Sequence, residues 1–228
     1  MDRVCQSHAV LREIVSLEWP SDGVALITVA DDDTKNRDIT LGTIGKLADT
    51  LSAARRSGAR VSVIASGIRG EWLHDAHTGQ LTDMTTGKET GFGISGWVRA
   101  FNELAHPDVV SIAAISGDTS GSGCELGWAC DFRIAEEGVQ FKQPTSQIGV
   151  CAGIGDTSRL RRLIGRSAIA ELILAGRPMV AERLYQLGAI NSLVSKDRSV
   201  VEALTLARHL SEVRRAELRG MKRMLIGE

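Results

Sequence analysis

Short apolar runs alternate along the chain with stretches that repeat apolar residues every three or four positions. The Val- and Ile-rich runs at 24–29, 61–65 and 109–115 lie between turn residues and predict buried strands. The stretch from Leu41 to Ala54 has helical spacing and stops at Gly58, which predicts a helix. This alternation of strands and helices indicates an α/β fold.

The same patterns outline the rest of the chain. Further strands are expected at 14–19, 132–135, 140–141 and 190–194, and further helices at 96–104, 157–164, 167–175, 180–187 and 200–224. A polar, glycine-rich loop is predicted from Ser66 to Gly93, and loops of that length are usually functional or mobile. No internal repeat is visible in the sequence.

The most informative stretch runs from residue 109 to residue 131. Its apolar run breaks into a glycine-rich turn around Gly121 and Gly123, and a helix with Glu125 in its first turn should follow. Glycines at such a turn let backbone N–H groups approach a ligand, and the amino end of a helix adds positive potential. The turn can therefore polarise an oxygen while the carboxylate beside it moves a proton.

Composition narrows the class of protein. The 228 residues suit one large domain with a helical appendage at its carboxyl end. With 27 basic and 28 acidic residues, nothing indicates a nucleic-acid partner. No signal sequence and no apolar run of about 18 residues is present, so we expect a cytoplasmic protein without membrane contact. The four cysteines form no C-x-x-C pair, which favours reduced and mostly buried thiols.

Other chemistries fit the glycine turn less well. Gly121-Ser122-Gly123 with Gly127 is one residue longer than the dinucleotide-binding fingerprint and lies in mid-chain. A serine hydrolase would need a G-x-S-x-G elbow, which is absent. The His74-x-x-His77 pair has no third ligand indicated, and the consecutive aspartates at 31–33 suit a solvated loop. No metal site is therefore predicted.

Several motifs resemble those of the crotonase (enoyl-CoA hydratase/isomerase) superfamily, in the same order, over residues 14 to 225. The motifs that match are the glycine turn with Cys-Glu-Leu (121–126), Cys-Asp-Phe-Arg-Ile-Ala (130–135), Phe-Lys-Gln-Pro (141–144), Gly-Ile-Gly-Asp-Thr-Ser-Arg-Leu (153–160) and Leu-Ala-Gly-Arg-Pro-Met-Val-Ala-Glu (174–182). So many matches in order make coincidence a poor explanation.

The resemblance implies a crotonase-like spiral of ββα units over 1–195, followed by a helical trimerisation region over 196–228. It also implies homotrimers or hexamers, an acyl-CoA or acyl-carrier thioester as substrate, and no cofactor beyond the CoA that the substrate carries. Members of the family usually continue with another helical segment after the position of Leu225. Since this chain ends at Glu228, we expect a pocket that is more open or is covered by another protomer.

Two backbone N–H groups should form an oxyanion hole, as the resemblance implies. Ser122 provides one, and its replacement of the family's glycine is tolerable because the backbone donates. The other aligns with His74, after Trp72 at the family's aromatic position, which is expected to help bind substrate. A histidine in place of a small residue should reshape or narrow the acyl pocket.

Glu125 matches the first of two glutamates that hydratases of this family use to hold water and shuttle a proton. Its alternative role is a carboxylate that stabilises the amino end of a helix. The second glutamate is replaced by Thr145, which the resemblance implies lines the substrate site but which cannot exchange a proton near neutral pH. Asp156 supplies a replacement acid or, equally, caps the helix that follows.

Lys35 and Asn36 match a loop that touches CoA in the family, which implies a role in substrate binding. The default reaction is hydration of a 2-enoyl thioester, as in fatty acid metabolism. Sibling reactions remain open: double-bond isomerisation, decarboxylation and thioester hydrolysis. A different class of function is also open, namely a catalytically weak homologue that binds acyl-CoA or depends on a partner enzyme. Replacement of the second glutamate by Thr145 favours this class, and the retained Glu125 opposes it.

Overall fold

A computed structural model describes residues 14–30, 38–39, 41–68, 70–75, 91–143 and 157–226. Its strands are β1 (Val15–Ser21), β2 (Val24–Val29), β3 (Asp38–Ile39), β4 (Val61–Ser66), β5 (His74–Asp75), β6 (Val110–Ile115), β7 (Thr119–Ser120), β8 (Phe132–Glu136), β9 (Gln140–Lys142), β10 (Met179–Val180) and β11 (Ser192–Val194). Its helices are α1 (Leu41–Arg56), α2 (Gly91–Ala105), α3 (Ser122–Ala129), α4 (Thr157–Ile173), α5 (Ala181–Gln186), α6 (Ser199–Glu212) and α7 (Arg215–Ile226).

Six strands form the larger sheet, in the order β1-β2-β4-β6-β8-β11. All neighbours in this sheet are parallel except β1, which pairs antiparallel with β2. Strand β6 is buried along its whole length, and β4 is buried up to Ala65. A strand covered on both faces reads as a continuous apolar run, which explains why the sequence identified these two strands directly.

The chain builds four successive ββα units: β2-β3-α1, β4-β5-α2, β6-β7-α3 and β8-β9-α4. In each unit the first strand joins the larger sheet, and the second strand pairs elsewhere. Strand β3 pairs in parallel with β5, and β7 pairs in parallel with β9. The predicted α/β class and the ββα architecture are confirmed.

Helices cover both faces of the larger sheet. One apolar core lies between the sheet and helices α1 to α5, and includes Ile44, Ile64, Phe101 and Leu126. A second core lies on the opposite face, where Ala203, Ala207 and Leu218 of the last two helices pack on the sheet. Burial of apolar surface on both faces is the main stabilising contribution to such a sheet.

Two helix predictions were wrong in their boundaries. Helix α2 begins at Gly91 and not at residue 96. Within this helix Gly96 allows a close contact with α1, since a Cβ atom there would lie 3.2 Å from the side chain of Ile44. The single helix expected over 200–224 is two helices, because Val213 adopts an extended conformation between α6 and α7.

Helix α7 is fastened to the rest of the fold through a buried lysine. The ammonium of Lys222 donates hydrogen bonds to the carbonyl oxygens of Leu104 and Val109, both at 2.6 Å, and to Asp131 Oδ2 at 2.7 Å. The division of the chain at residue 195 and the trimerisation role of the carboxyl end stay predictions. Within the described residues, no helix is both long enough and apolar enough to cross a membrane.

Candidate active site

The glycine turn follows directly on β7 and opens helix α3. Gly121 precedes the helix with φ 49° and ψ −117°, a backbone conformation that side-chain-bearing residues rarely adopt. Its N–H donates to the carbonyl oxygen of Lys142 at 3.0 Å, so the turn is attached to β9. The first N–H groups of a helix have no acceptor within the helix, and this turn can therefore present donors to a ligand.

A close backbone contact brings the two predicted oxyanion segments together. A Cβ atom at Gly123 would lie 1.8 Å from the carbonyl oxygen of Leu73, so only glycine fits there without a shift. Residues 73–74 therefore lie beside the first turn of α3, which contains Ser122. His74 belongs to β5, where it pairs with Asp38 of β3. That the N–H groups of Ser122 and His74 act as donors stays a prediction.

Glu125 lies in the first turn of α3 and is only 7% exposed. Its Oε1 accepts a hydrogen bond of 2.6 Å from Nε2 of Gln143. The amino end of a helix stabilises a carboxylate, while burial disfavours its charged form, and the neutral amide orients it without adding a positive charge. This arrangement suits a group that has to accept and return a proton.

The role of Gln143 was missed by the sequence prediction, although the residue stands in the Phe-Lys-Gln-Pro motif. Gln143 is buried and directly follows β9, the strand that pairs with β7. Phe141 of β9 stacks on Trp128 of α3 with ring centroids 5.1 Å apart. This contact packs α3 against β9 and so holds Gln143 next to Glu125. The signal in the sequence was its place in the Phe-Lys-Gln-Pro motif.

Trp72 is fully buried and belongs to the core beside α3. A Cβ atom at Gly127 would lie 3.4 Å from the Trp72 ring, so the ring packs against the middle of the helix. Trp72 thus supports α3 from within the core, and its predicted contact with substrate stays a prediction. The other predicted site residues, Lys35, Asn36, Thr145 and Asp156, lie outside the described residues, as does the side chain of His74.

The glycine turn, the buried acid of α3 and the ββα units together identify the family. A family model described as enoyl-CoA hydratase/isomerase matches residues 20–226. The chain belongs to the enoyl-CoA hydratase/isomerase family. The resemblance on which the sequence prediction rested is confirmed.

Two relatives illustrate how far the similarity within the enoyl-CoA hydratase/isomerase family extends. A probable enoyl-CoA hydratase of Rhizobium meliloti is 38% identical over 118 residues, which cover 52% of this chain and 44% of the relative. A short-chain-enoyl-CoA hydratase of Clostridium acetobutylicum is 28% identical over 194 residues, which cover 85% of this chain and 69% of the relative. The first of these matches thus spans less than half the length of its relative.

Solved structures of low sequence identity share the fold of this family member. DspI of Pseudomonas aeruginosa has a TM-score of 0.82 at 24% identity, covering 97% of this chain and 90% of its own. An enoyl-CoA hydratase of Bacillus anthracis has a TM-score of 0.81 at 22% identity, covering 93% and 82%. A Thermobifida fusca protein in complex with CoA has a TM-score of 0.77 at 22% identity, covering 93% and 84%.

The cysteines of this family member were predicted to be reduced and mostly buried. Cys124 and Cys130 are free and buried, as expected, while Cys5 and Cys151 lie outside the described residues. Burial raises the pKa of the Cys130 thiol to about 12, so this thiol stays protonated and unreactive at neutral pH. Across the described part of the chain, no group of three or more His, Cys, Asp or Glu could hold a metal ion.

Proposed function

We propose that this protein converts an acyl-CoA or acyl-carrier thioester, with hydration of a 2-enoyl thioester as its reaction. The observation that carries the proposal is Glu125, a buried carboxylate oriented by Gln143 at 2.6 Å beside a glycine turn. The names of the relatives support the reaction class, and the CoA complex of the Thermobifida fusca protein supports the ligand class.

In this mechanism the thioester oxygen accepts hydrogen bonds from the N–H groups of Ser122 and His74. As water attacks the β carbon, Glu125 takes a proton from it, and the electrons of the double bond move to the thioester oxygen. The resulting enolate is stabilised by the two donors, each worth about 3–4 kcal/mol when it is aimed at the developing charge. The α carbon then receives a proton, from Glu125 or from Asp156, to give a 3-hydroxyacyl thioester.

The proposal requires no cofactor beyond the CoA portion of the substrate, since the donors and the proton carrier belong to the chain. Lys35, Asn36 and Thr145 are proposed to contact the substrate, and a cytoplasmic location is proposed from the sequence alone.

We further propose a homotrimer, or a hexamer of two trimers. Met221, Met224 and Leu225 of α7 are 58%, 82% and 79% exposed and support an interface there. Sedimentation velocity should give a trimer or hexamer, and a monomer for Met224→Glu. A monomeric wild type would overturn this part.

The test of function is hydration of crotonyl-CoA, followed by loss of the enoyl-thioester absorbance. We expect turnover by the wild type and loss of turnover in Glu125→Gln. Glu171→Gln is the matched control, because Glu171 belongs to α4 and is paired there with Arg183 of α5. This variant should retain the wild-type rate.

The outcomes separate the candidate functions. Equal rates for the wild type and Glu125→Gln would exclude Glu125 as the proton carrier. Binding of CoA thioesters without hydration would instead favour the second candidate, a weak or partner-dependent homologue, which the threonine at position 145 already suggests. Product analysis with 3-enoyl, malonyl and saturated thioesters would then test isomerisation, decarboxylation and hydrolysis.

A further inference from the structure

The segment that precedes His74 is attached, residue by residue, to the turn that leads into α3. Ser116 Oγ donates to the carbonyl oxygen of Glu71 at 3.3 Å, and the N–H of Trp72 donates to the carbonyl oxygen of Asp118 at 3.0 Å. Residues 71 and 118 also form a β-bridge. The two predicted oxyanion segments are therefore joined by hydrogen bonds and behave as one unit.

The last of these attachments is made by a side chain. Thr119 Oγ1 donates a hydrogen bond of 2.7 Å to the carbonyl oxygen of Leu73. Thr119 is 0% exposed, so this bond forms without competition from solvent. A Cβ atom at Gly123 would lie 2.7 Å from the same hydroxyl, which shows how closely β7, α3 and residue 73 meet.

The hydrogen bond acts on the peptide group that links Leu73 to His74. The carbonyl and the N–H of a planar trans peptide point in opposite directions, and the described backbone contains no cis bond. With the carbonyl of Leu73 directed at Thr119, the N–H of His74 is directed to the opposite side, away from the buried hydroxyl. Rotation of this peptide would break the bond to Thr119 and turn the N–H.

We propose that Thr119 is a positioning residue for the oxyanion hole: its hydroxyl fixes the peptide plane whose N–H, on His74, donates to the thioester oxygen. The inference rests on the proposed function, because it assigns a device to the same site. Thr119 touches no reacting atom, and it acts only through the Leu73–His74 peptide. A small error in the direction of such a donor weakens stabilisation of developing charge, which makes the hydroxyl matter for rate.

The test uses three variants of the full chain and two readouts. Thr119→Val keeps the size of the side chain and removes the hydroxyl donor. Thr119→Ser keeps the hydroxyl and removes the methyl group. Thr119→Ala removes both groups and adds no new atoms. The first readout is the infrared carbonyl stretch of bound butyryl-CoA labelled with ¹³C at the carbonyl, a saturated thioester that cannot be hydrated. The second is the separation of kcat from KM for crotonyl-CoA.

We expect the labelled carbonyl to shift to lower frequency on binding to the wild type and to Thr119→Ser, and to lose much of that shift in Thr119→Val. For crotonyl-CoA we expect kcat to fall about tenfold in Thr119→Val with KM within about twofold of wild type, and Thr119→Ser to restore kcat. Should Thr119→Val not fold, the same comparison applies to Thr119→Ala.

The results distinguish two failures. If the stretching frequency of the butyryl-CoA carbonyl does not change on binding to the wild type, the predicted oxyanion hole is wrong and the role of Thr119 is overturned with it. If the wild type shifts the carbonyl and a variant without the hydroxyl shifts it equally, the role of Thr119 is overturned while the proposed function stands. Equal loss of kcat in Thr119→Ser would also contradict the role of the hydroxyl.

Discussion

Carboxylates lie at both ends of helix α3, Glu125 buried and Asp131 partly buried, and the two are held in different ways. Glu125, in the first turn, accepts a hydrogen bond from the neutral amide of Gln143. Asp131, just past the last turn, accepts hydrogen bonds from the ammonium of Lys222 at 2.7 Å and from the N–H and hydroxyl of Ser111 at 2.7 and 3.0 Å. One end therefore meets an amide, and the other a cation.

The partner decides what a buried acid can do in this protein. The ion pair of Asp131 with Lys222 helps to attach α7 to the fold, which gives this carboxylate a structural role. The amide of Gln143 is neutral, so this contact orients Glu125 without itself supplying a positive charge. The two contacts thus differ in the charge of the donor, which is neutral for Gln143 and positive for Lys222.

The largest effect should come from Glu125→Gln, which removes the proton carrier and keeps the shape. We expect turnover of crotonyl-CoA to fall about 10³-fold, equivalent to ~4 kcal/mol of transition-state stabilisation, because proton transfer loses its acceptor. The unfolding free energy, measured by urea titration, should change by less than about 1 kcal/mol. A large loss of stability would show that Glu125 anchors the fold as Asp131 does.

The reverse result is expected at the other end of the helix. Lys222→Met leaves Asp131 without its cation and should lower the unfolding free energy by about 3 kcal/mol, because breaking a buried ion pair leaves an uncompensated charge. Turnover per folded molecule should stay within about twofold of wild type. Arg219→Gln is the control on the same helix, since its pair with Asp108 is half-exposed and should contribute under about 1 kcal/mol.

Two glycines of α3 offer a matched pair that perturbs the helix at different points. Gly123→Ala places a Cβ atom against the carbonyl oxygen of Leu73 and should cost about 1–3 kcal/mol of stability, with loss of activity. Gly127→Ala places its Cβ at ordinary contact distance from Trp72 and should be neutral or stabilising by up to about 1 kcal/mol, because alanine favours helix. Thermal unfolding and turnover measure both. Equal effects would contradict the close contact at Gly123.

Removal of the amide should have a smaller effect on turnover than removal of the acid. In Gln143→Met the hydrogen bond to Glu125 is lost, and we expect kcat to fall about tenfold, or ~1.4 kcal/mol, since the carboxylate is less well oriented. The affinity for CoA thioesters, measured by calorimetry, should not change. Gln140→Met on the same strand is the control, because only the backbone N–H of Gln140 is known to bind Asp118. A loss of kcat in both variants would point to a general distortion of β9.

The smallest effect concerns a third carboxylate, at the contact between α1 and α2. Arg55 donates two hydrogen bonds to Glu103, at 2.7 and 3.0 Å, and these hold the pKa of Glu103 below its ordinary value of 4.5. The stabilisation is therefore complete above pH 4.5 and is lost as pH falls through the lower, folded-state pKa. Glu103→Gln should cost at most about 1 kcal/mol at pH 7.

The pH dependence supplies the check on this last variant. Urea titrations should show the difference between wild type and Glu103→Gln shrinking as the pH is lowered below 4.5. A difference that grows at low pH would contradict the assigned direction of the pKa shift.

The sequence predicted the elements whose pattern is local and long enough to read. Strands β4 and β6 bury almost every residue, so their apolar runs were unmistakable. The repetition of ββα units was expected only from the family resemblance and not from the hydrophobic pattern, because the second strands β3, β5 and β7 have only two residues each and cannot show a period. They exist through pairing with distant strands, which no local pattern reports.

The site was predictable to the same extent. Glu125 could be placed in the first turn of a helix because the glycine turn directly precedes it. Its contact with Gln143 joins residues 18 positions apart and depends on the packing of β9 against β7. The pairing of Asp131 with Lys222 spans 91 positions, and a single lysine in a helical pattern reads as a surface residue.

The attachment of α7 through Lys222 has a consequence for folding during synthesis on the ribosome. Asp131 emerges long before Lys222, which follows it by 91 residues, so the nascent chain carries this carboxylate without its cation until α7 has been synthesised. The strands of the larger sheet are all complete by Val194. We therefore expect arrested chains that already contain the whole sheet to remain protease-sensitive, and to become resistant only when the residues of α7 have left the exit tunnel.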